Sequence, residues 1–401
     1  MPTFRGLQFR IAQGLHSLAD NIFRPDGNEI LNIGSEYIGA KGKRALVSYV
    51  HRAIPYYVAG DIDKFPRINE HTMYWESAEM VRQLNKAGYI VDYYDAFNPS
   101  AVPKDWDKYE LVIDEQDRMA DVHKRRSDLT KVYYCTGNHW LFHNRAELDR
   151  IWSFHERSGI YVAPERQISA NFADQTSDYM THFGTPFQTQ YFDPKPQRHL
   201  LNISAVYEPT FRRKNYDKAR KNFIWLGSHG HLLKGLDLAV EAFMQTPDLH
   251  LYICGNAERE IQFWKWLKPV LDTHLNIHYQ GWTDVGSAKF AELAHNCVGT
   301  VYVSSTEGGP GSVAQLTHYG LIPVVTESAA VRAAEAHGTV IRSLDPLEIV
   351  PQLVQAIIEV ANAPEADLHA RSQAVYDFGR QYHTRQAYSH SFAALLERIA
   401  K

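Results

Sequence analysis

The sequence of 401 residues lacks several features that would assign it to common protein classes. Its three cysteines, Cys135, Cys254 and Cys297, lie far apart in apolar runs, which indicates neither a disulfide framework nor a cysteine-ligated metal site. It has no secretory leader pattern and no apolar run of about 18 residues, the length that a membrane-spanning helix needs. We therefore expect a cytoplasmic protein with buried free thiols.

The chain also lacks an excess of positive charge. Its formal net charge is −4, which argues against broad binding to nucleic acid. Two short basic stretches, Lys124–Arg126 and Arg212–Lys214, are interpreted as solvated surface, with docking of a phosphorylated lipid or an anionic acceptor as the alternative. The pair Asp61 and Asp63 has the spacing of a metal-binding motif, but two acids at this spacing are common by chance. We expect no metal.

Apolar residues recur at helical spacing near the N-terminus, from Phe4 to Ile22. This pattern predicts a helix that packs on the domain or on a partner subunit. The alternative is an interfacial helix in peripheral contact with a membrane.

The length predicts two domains of about 200 residues each. We assign 1–200 to an N-terminal Rossmann-like domain, 201–370 to a C-terminal Rossmann-like domain, and 371–401 to a helical segment packing back toward the first domain. Proline and basic residues make 191–222 the expected connection. Short apolar runs alternate with helical patterns in both halves, which predicts an α/β fold with two doubly wound, Rossmann-like parallel sheets facing a cleft.

Predicted strands are short and rich in Val, Ile, Leu and Tyr. In the first half they are Ala45–Val50, Ile90–Tyr94, Leu111–Asp114 and Val132–Thr136, with Ile160–Ala163 as a fifth candidate. In the second half they are Phe223–Leu226, Leu249–Cys254, Ile277–Gln280, Thr300–Val303, Ile322–Thr326 and a further candidate, Gly338–Ile341. Ligands of such sheets bind beyond the carboxyl ends of the strands.

The segment Val301–Thr326 carries the strongest chemical signal. A strand runs into a loop with Gly308, Gly309 and Gly311, and a helix follows from Ser312. Glycines allow backbone amides to approach a ligand closely, and a helix N-terminus favours an anion such as a diphosphate. Glu307 in the loop can accept hydrogen bonds from sugar hydroxyls, and Gln315, two helical turns on from Glu307, can both donate to and accept from a ribose diol.

This segment resembles the donor site of the retaining GT4 glycosyltransferases. The matching residues of the family's signature are Glu307, Gly308, Pro310, Gly320, Pro323, Val324 and Val325. Gln315 departs from it, because the family has a second glutamate there. The resemblance implies a GT-B fold and metal-independent transfer of a sugar, with retained configuration, from a UDP- or GDP-linked donor to a glycan, lipid-linked or small-molecule acceptor. It also implies that the domain of residues 1–200 presents the acceptor and that the domain of residues 201–370 binds the nucleotide-sugar.

The resemblance extends to Phe223–Leu238, where the family's lysine and glycine match Lys234 and Gly235. The family's arginine is absent, since Ser228 and His229 follow Gly227. By this resemblance Lys234 and the amides of 309–312 stabilise the departing diphosphate. The implied donor-binding set is Gly227, Ser228, Lys234, Trp282, Glu307, Gly308, Gly309, Gly311, Ser312 and Gln315.

The resemblance also suggests roles for residues after other strands. His139 matches by position a histidine near the transferred sugar, which makes His139, Lys234 and Glu307 the expected catalytic set. Trp282 is a candidate to stack on or shield the base, or else only covers the sheet edge. Asp114, Glu115 and Asp117 either orient the acceptor or are surface charges.

Three other functions remain open. The first is a non-catalytic relative that binds a nucleotide-sugar or partners an active subunit, favoured by the missing arginine and by Gln315. The second is another reaction on the same fold, such as sugar epimerisation. A dinucleotide-dependent oxidoreductase is disfavoured, because Gly34, Gly39 and Gly42 precede the first predicted strand rather than follow it.

Overall fold

The computed structural model describes residues 29–39, 42–98, 101–116 and 118–401. The predicted N-terminal helix over residues 4–22 and the candidate Asp117 lie outside these residues. None of the helices in the described ranges is long and apolar enough to cross a membrane.

The first half of the chain forms a seven-stranded sheet in the order β1-β3-β2-β4-β5-β6-β7. Strand β1 is antiparallel to β3, and the other neighbours are parallel. The strands are β1 Glu29–Ile33, β2 Lys43–Tyr49, β3 Tyr89–Asp95, β4 Leu111–Asp114, β5 Thr130–Tyr133, β6 Tyr179–His182 and β7 Gln197–Leu200. The helices are α1 Ser35–Ile38, α2 Ile54–Val58, α3 Thr72–Lys86, α4 Met119–Arg125, α5 Trp140–Ser158, α6 Ala173–Thr176 and α7 Pro186–Thr189.

The second half forms a six-stranded parallel sheet in the order β10-β9-β8-β11-β12-β13. Its strands are β8 Asn222–Leu226, β9 His250–Cys254, β10 Ile277–Gly281, β11 Gly299–Tyr302, β12 Ile322–Thr326 and β13 Thr339–Ile341. The helices are α8 Tyr216–Ala219, α9 Leu236–Met244, α10 Ile261–Thr273, α11 Ala288–His295, α12 Gly311–Thr317, α13 Arg332–His337, α14 Pro346–Asn362, α15 Glu365–Tyr382 and α16 Arg385–Ile399.

The predicted α/β architecture is confirmed, with differences in the first half. The strand predicted at Ile160–Ala163 is wrong: Ile160 and Val162 instead pack against the core of the second half. Strands β1, β6 and β7 were not predicted, and β7 lies inside the stretch expected to connect the halves. Its sequence, Gln-Arg-His-Leu, is mostly polar because the strand lies at the edge of the sheet.

The last two helices lie on different sheets. Helix α15 packs against α12, α13 and β12 of the second sheet, whereas α16 packs against α3 of the first. In α16, Tyr388, Phe392 and Leu395 are fully buried in the core of the first half. The chain therefore crosses back to its first half before it ends.

Helix α5 joins the two halves. It begins after β5 of the first sheet, but Phe154 is buried in the core of the second. Two arginines on the same helix, Arg150 and Arg157, meet the buried Asp237 of α9 at 3.8 Å and 2.6 Å. Arg150 also donates to the carbonyl of Val303 at 3.2 Å. Because these charges are largely withdrawn from water, their pairing fixes α5 on the second half.

We predict that Asp237→Ala strongly destabilises the protein, since it leaves Arg150 as a buried charge without its carboxylate. The expected loss in the free energy of unfolding is about 3–5 kcal/mol. Denaturation in urea measures it. The matched control is Asp149→Ala, which removes an exposed partner of Arg145 on the same helix and should cost about 1 kcal/mol or less. Equal losses in the two variants would contradict a buried charge cluster.

Candidate functional site

A cleft of about 260 Å³ lies at the carboxyl ends of the strands of the second sheet, where the first half covers it. Loops after β8, β9, β10 and β11 form one side of it. The first half contributes the start of α3 and one residue of the segment after α5. The lining residues are Glu70, His71, Thr72, Arg166, Val206, Leu226, Gly227, Ser228, Lys234, Cys254, Gly255, Trp282, Thr283, Val285, Tyr302, Glu307, Pro310, Gly311, Ser312 and Gln315.

Lys234 is the buried cation of the cleft. Its ammonium group donates to the hydroxyl of Ser228 at 3.4 Å. Burial lowers the pKa of Lys234 to about 8, with Glu307 opposing this shift and Arg166 adding to it. Among the described residues this long hydrogen bond is the one that the ammonium group makes, and a buried ammonium group so weakly paired is well suited to bind an anion.

Glu260 stabilises the conformation of the loop between β8 and α9. Its carboxylate accepts hydrogen bonds from the backbone amides of Gly230 at 2.6 Å and His231 at 3.2 Å, and from the ring of His231 at 2.6 Å. This carboxylate is buried. No sequence pattern pointed to Glu260, because it lies about thirty residues from the loop, at the start of α10.

Glu307 lines the cleft beside the buried Tyr302. The hydroxyl of Tyr302 donates to Oε1 of Glu307 at 2.7 Å, and the backbone amide of Glu307 donates to the carbonyl of Ser328 at 3.0 Å. One carboxylate oxygen is thus held while Oε2 has no such partner among the described residues. Oε2 of Glu307 can therefore accept hydrogen bonds from a ligand in the cleft.

Gly308 and Gly309 contact the first half rather than the cleft. A Cβ on Gly308 would lie 2.3 Å from the carbonyl oxygen of Thr136. Gly309, with φ of +98°, packs against Phe183 and Gly184. Neither glycine is among the lining residues, so the close contact between the two halves is the reason why a side chain does not fit at these two positions. Gly311 and Ser312, in contrast, do line the cleft.

Gln315 uses its amide to hold the backbone of the segment that joins the halves. Its Oε1 accepts from the amides of Val206 at 3.1 Å and Tyr207 at 3.0 Å, and its Nε2 donates to the carbonyl of Tyr207 at 2.6 Å. A glutamate could not make the last of these bonds when ionised. These three bonds give a structural reason for glutamine rather than glutamate at this position. The second N–H of the amide can donate to a ligand.

Trp282 lies at the open end of the cleft, where 63% of its surface is exposed. Leu226, Gly255, Thr283 and Val285 line the same end. This end is less polar than the end that holds Lys234 and Glu307, and its exposed indole face suits a planar group.

The structure places His139 outside the lining of the cleft and His71 within it. The ring of His139 caps α5 by accepting from the amide of Leu141, and it packs edge-on against Phe192. His71 caps α3, and desolvation, with the nearby charges of Lys234 and Arg166, lowers its pKa below the usual range. A catalytic part for His139 therefore stays a prediction, and the histidine that faces the cleft is His71.

Where the structure describes them, the acids considered for orienting the acceptor and for binding a metal do not line the cleft. Asp114 and Glu115 follow β4, where Glu115 accepts from the hydroxyl of Thr136 at 2.8 Å. Asp61 pairs with Lys64 at 2.9 Å. Within the described ranges, no group of three or more His, Cys, Asp or Glu residues is arranged to hold a metal ion.

A scan against protein-family models finds no match, and no curated protein matches the sequence. Solved structures do match. Sucrose-phosphate synthase from Thermosynechococcus elongatus is 10% identical, with 89% of this chain and 99% of that chain covered and a TM-score of 0.55. A glycosyltransferase from Rickettsia africae is 9% identical, with 90% and 99% covered and a TM-score of 0.50.

This chain has the GT-B fold. It spans only 57% of the length of a chain in the GtfA/B complex, which is 14% identical, with 72% of this chain covered and a TM-score of 0.49. At such identities the likeness shows the GT-B fold alone, so the reaction has to be argued from the cleft.

We predict that Gln315→Glu destabilises the protein at neutral pH, because a carboxylate would face the carbonyl of Tyr207 in a buried place. The expected loss is about 1–3 kcal/mol. Thermal unfolding measures it, and the loss should shrink in acid, where a protonated carboxyl can donate. The control is Gln355→Glu, an exposed amide that donates to Glu359, with an expected loss of about 0.5 kcal/mol or less. A neutral effect at Gln315 would contradict the structural account of this amide.

Proposed function

We propose that this chain is a glycosyltransferase that moves a sugar from a nucleotide-sugar to an acceptor hydroxyl. The observation that carries the proposal is the convergence, in one cleft of a GT-B fold, of the buried Lys234, the carboxylate of Glu307 and an exposed indole at the open end. A nucleotide-sugar has groups that match all three: a diphosphate, a polyol ring and a planar base.

The charges of the cleft suit the departure of a diphosphate. In sugar transfer the bond between the anomeric carbon and the diphosphate oxygen breaks while a bond forms from that carbon to the acceptor's hydroxyl oxygen. Negative charge grows on the departing diphosphate, which can take up the proton that the hydroxyl loses. Lys234 would stabilise this charge from a fixed, buried position, where electrostatic stabilisation is stronger than in open water. Ser228, which already accepts from Lys234, and Ser312 offer hydroxyl donors on the same lining.

The carboxylate of Glu307 would orient the sugar. Its position is set by Tyr302 on one oxygen and by the backbone contact to Ser328, so the other oxygen can accept from the sugar's hydroxyls. We assign the acceptor side to the start of α3, with Glu70 and His71 on the lining. A neutral His71 ring can accept a hydrogen bond from, or donate one to, an acceptor hydroxyl.

We propose retention of anomeric configuration on the resemblance of the segment around Glu307 to retaining GT4 enzymes. The donor would be UDP- or GDP-linked, and the acceptor a glycan, a lipid-linked saccharide or a small molecule. The NMR coupling constant of the anomeric proton in the product tests retention: a product with the opposite configuration from its donor would contradict it.

We predict that UDP or GDP raises the melting temperature of the protein and that Lys234→Ala weakens this binding about 10- to 100-fold, since a hydrogen bond between charged groups is lost. A thermal-shift titration with UDP, GDP and ADP measures both effects. The control is Lys265→Ala, an exposed lysine of α10 that should leave the titration unchanged. No shift with any nucleotide would overturn the proposal and favour a non-catalytic relative.

We also predict that affinity for a nucleoside diphosphate falls as the pH rises through about 8, the pKa of Lys234. Below this pH the ammonium group is already charged, whereas above it binding must take up a proton. The phosphates themselves are fully ionised well above pH of about 6. Lys234→Arg stays charged over this range and should lose the dependence. Calorimetric titrations across the range test this, and a flat profile in the unaltered protein would contradict it.

A further inference from the structure

Side chains of α5 fix the backbone of the segment that follows it. Oε1 of Glu147 accepts from the amides of Glu165 at 2.9 Å and Arg166 at 2.8 Å, and its Oε2 accepts from the side chain of Gln167 at 2.6 Å. The ring of His143 donates to the carbonyl of Arg166 at 2.8 Å. The segment thus has a defined course although it belongs to no strand.

These contacts bring the side chain of Arg166 over the loop that follows β8. The two lie so close that a Cβ on Gly230, whose φ is +85°, would be 2.5 Å from Cγ of Arg166. The guanidinium group lines the cleft with Lys234, and within the described part of the chain it has no hydrogen bond or ion pair. A guanidinium group without a counter-charge beside a second cation is a site for an anion.

No other residue of this loop supplies a permanent cation. Ser228 is neutral. His229 lies 3.2 Å from the carboxylate of Glu165 and 3.5 Å from that of Glu260, so its ring is engaged away from the cleft. The family's arginine after the first glycine is therefore not replaced from within the loop itself.

We propose that Arg166 binds the diphosphate of the donor together with Lys234. This inference rests on the proposed function. The planar guanidinium group can donate two parallel hydrogen bonds to phosphate oxygens, which a lysine cannot do. The cation missing after Gly227 is thus supplied by the first half of the chain, some sixty residues earlier in the sequence. His143 and Glu147 are positioning residues, since they act through the backbone of Arg166.

Calorimetric titration of the full chain with UDP, UMP and uridine, and with GDP, GMP and guanosine, tests the proposal. Arg166→Ala should weaken binding of the diphosphate about 10- to 100-fold, and binding of the nucleoside little. Arg166→Lys should recover part of the loss. The control Arg145→Ala removes an exposed arginine of α5 and should change nothing.

The outcomes separate this inference from the proposed function. If the unaltered protein binds a diphosphate and Arg166→Ala binds it equally well, the role of Arg166 is overturned while the proposed function stands. An equal loss for nucleoside and diphosphate would also overturn it, because the contact would not be with phosphate. If the unaltered protein binds none of these compounds, both fail.

A double-mutant cycle tests the positioning residue. Glu147→Gln removes the charge but keeps the size of the side chain, and should weaken diphosphate binding in the unaltered background only. In the Arg166→Ala background the same change should have little further effect, because Glu147 acts through Arg166. Additive losses would overturn the positioning role.

Discussion

The cleft exists because α5 is bound to the second half by buried charges. The carboxylate of Asp237 is fully buried between Arg150 and Arg157, and removing one partner from such a cluster leaves an unpaired buried charge. Since α5 starts at the carboxyl end of the first sheet, this cluster fixes how the two sheets meet. The close contact of Gly308 with Thr136 joins the same two halves.

The same helix also determines the charge of the cleft. Its side chains Glu147 and His143 form hydrogen bonds with the backbone of the following segment, and the side chain of Arg166 then lies over the loop that carries Lys234. Two cations on one lining repel each other in the free protein, so the arrangement costs stability until an anion binds. Sites of function commonly depart in this way from what stability alone would favour.

Much of the second half could be predicted from the sequence, because strands lie between clear helical patterns and the inner strands β8, β11 and β12 are short apolar runs that are almost entirely buried. The first half was harder. The polar β7 has no such pattern, and Ile160 and Val162 are apolar because they cover the other half. The residues in and around the cleft also fall into those that the sequence reveals and those that it does not. Local motifs led to Lys234 and Glu307, but Arg166 and Glu260 reach the loop only through tertiary contacts, which no local pattern records.

The most direct test of the account is a crystal structure of the chain with bound UDP or GDP, whichever binds more tightly. We expect the diphosphate to lie within hydrogen-bond distance of Lys234 Nζ and of the guanidinium group of Arg166. The base should lie beside Trp282, and the side chain of Glu307 should point toward the space beyond the second phosphate. A nucleotide bound elsewhere on the protein, or a diphosphate in the cleft that contacts neither cation, would contradict it.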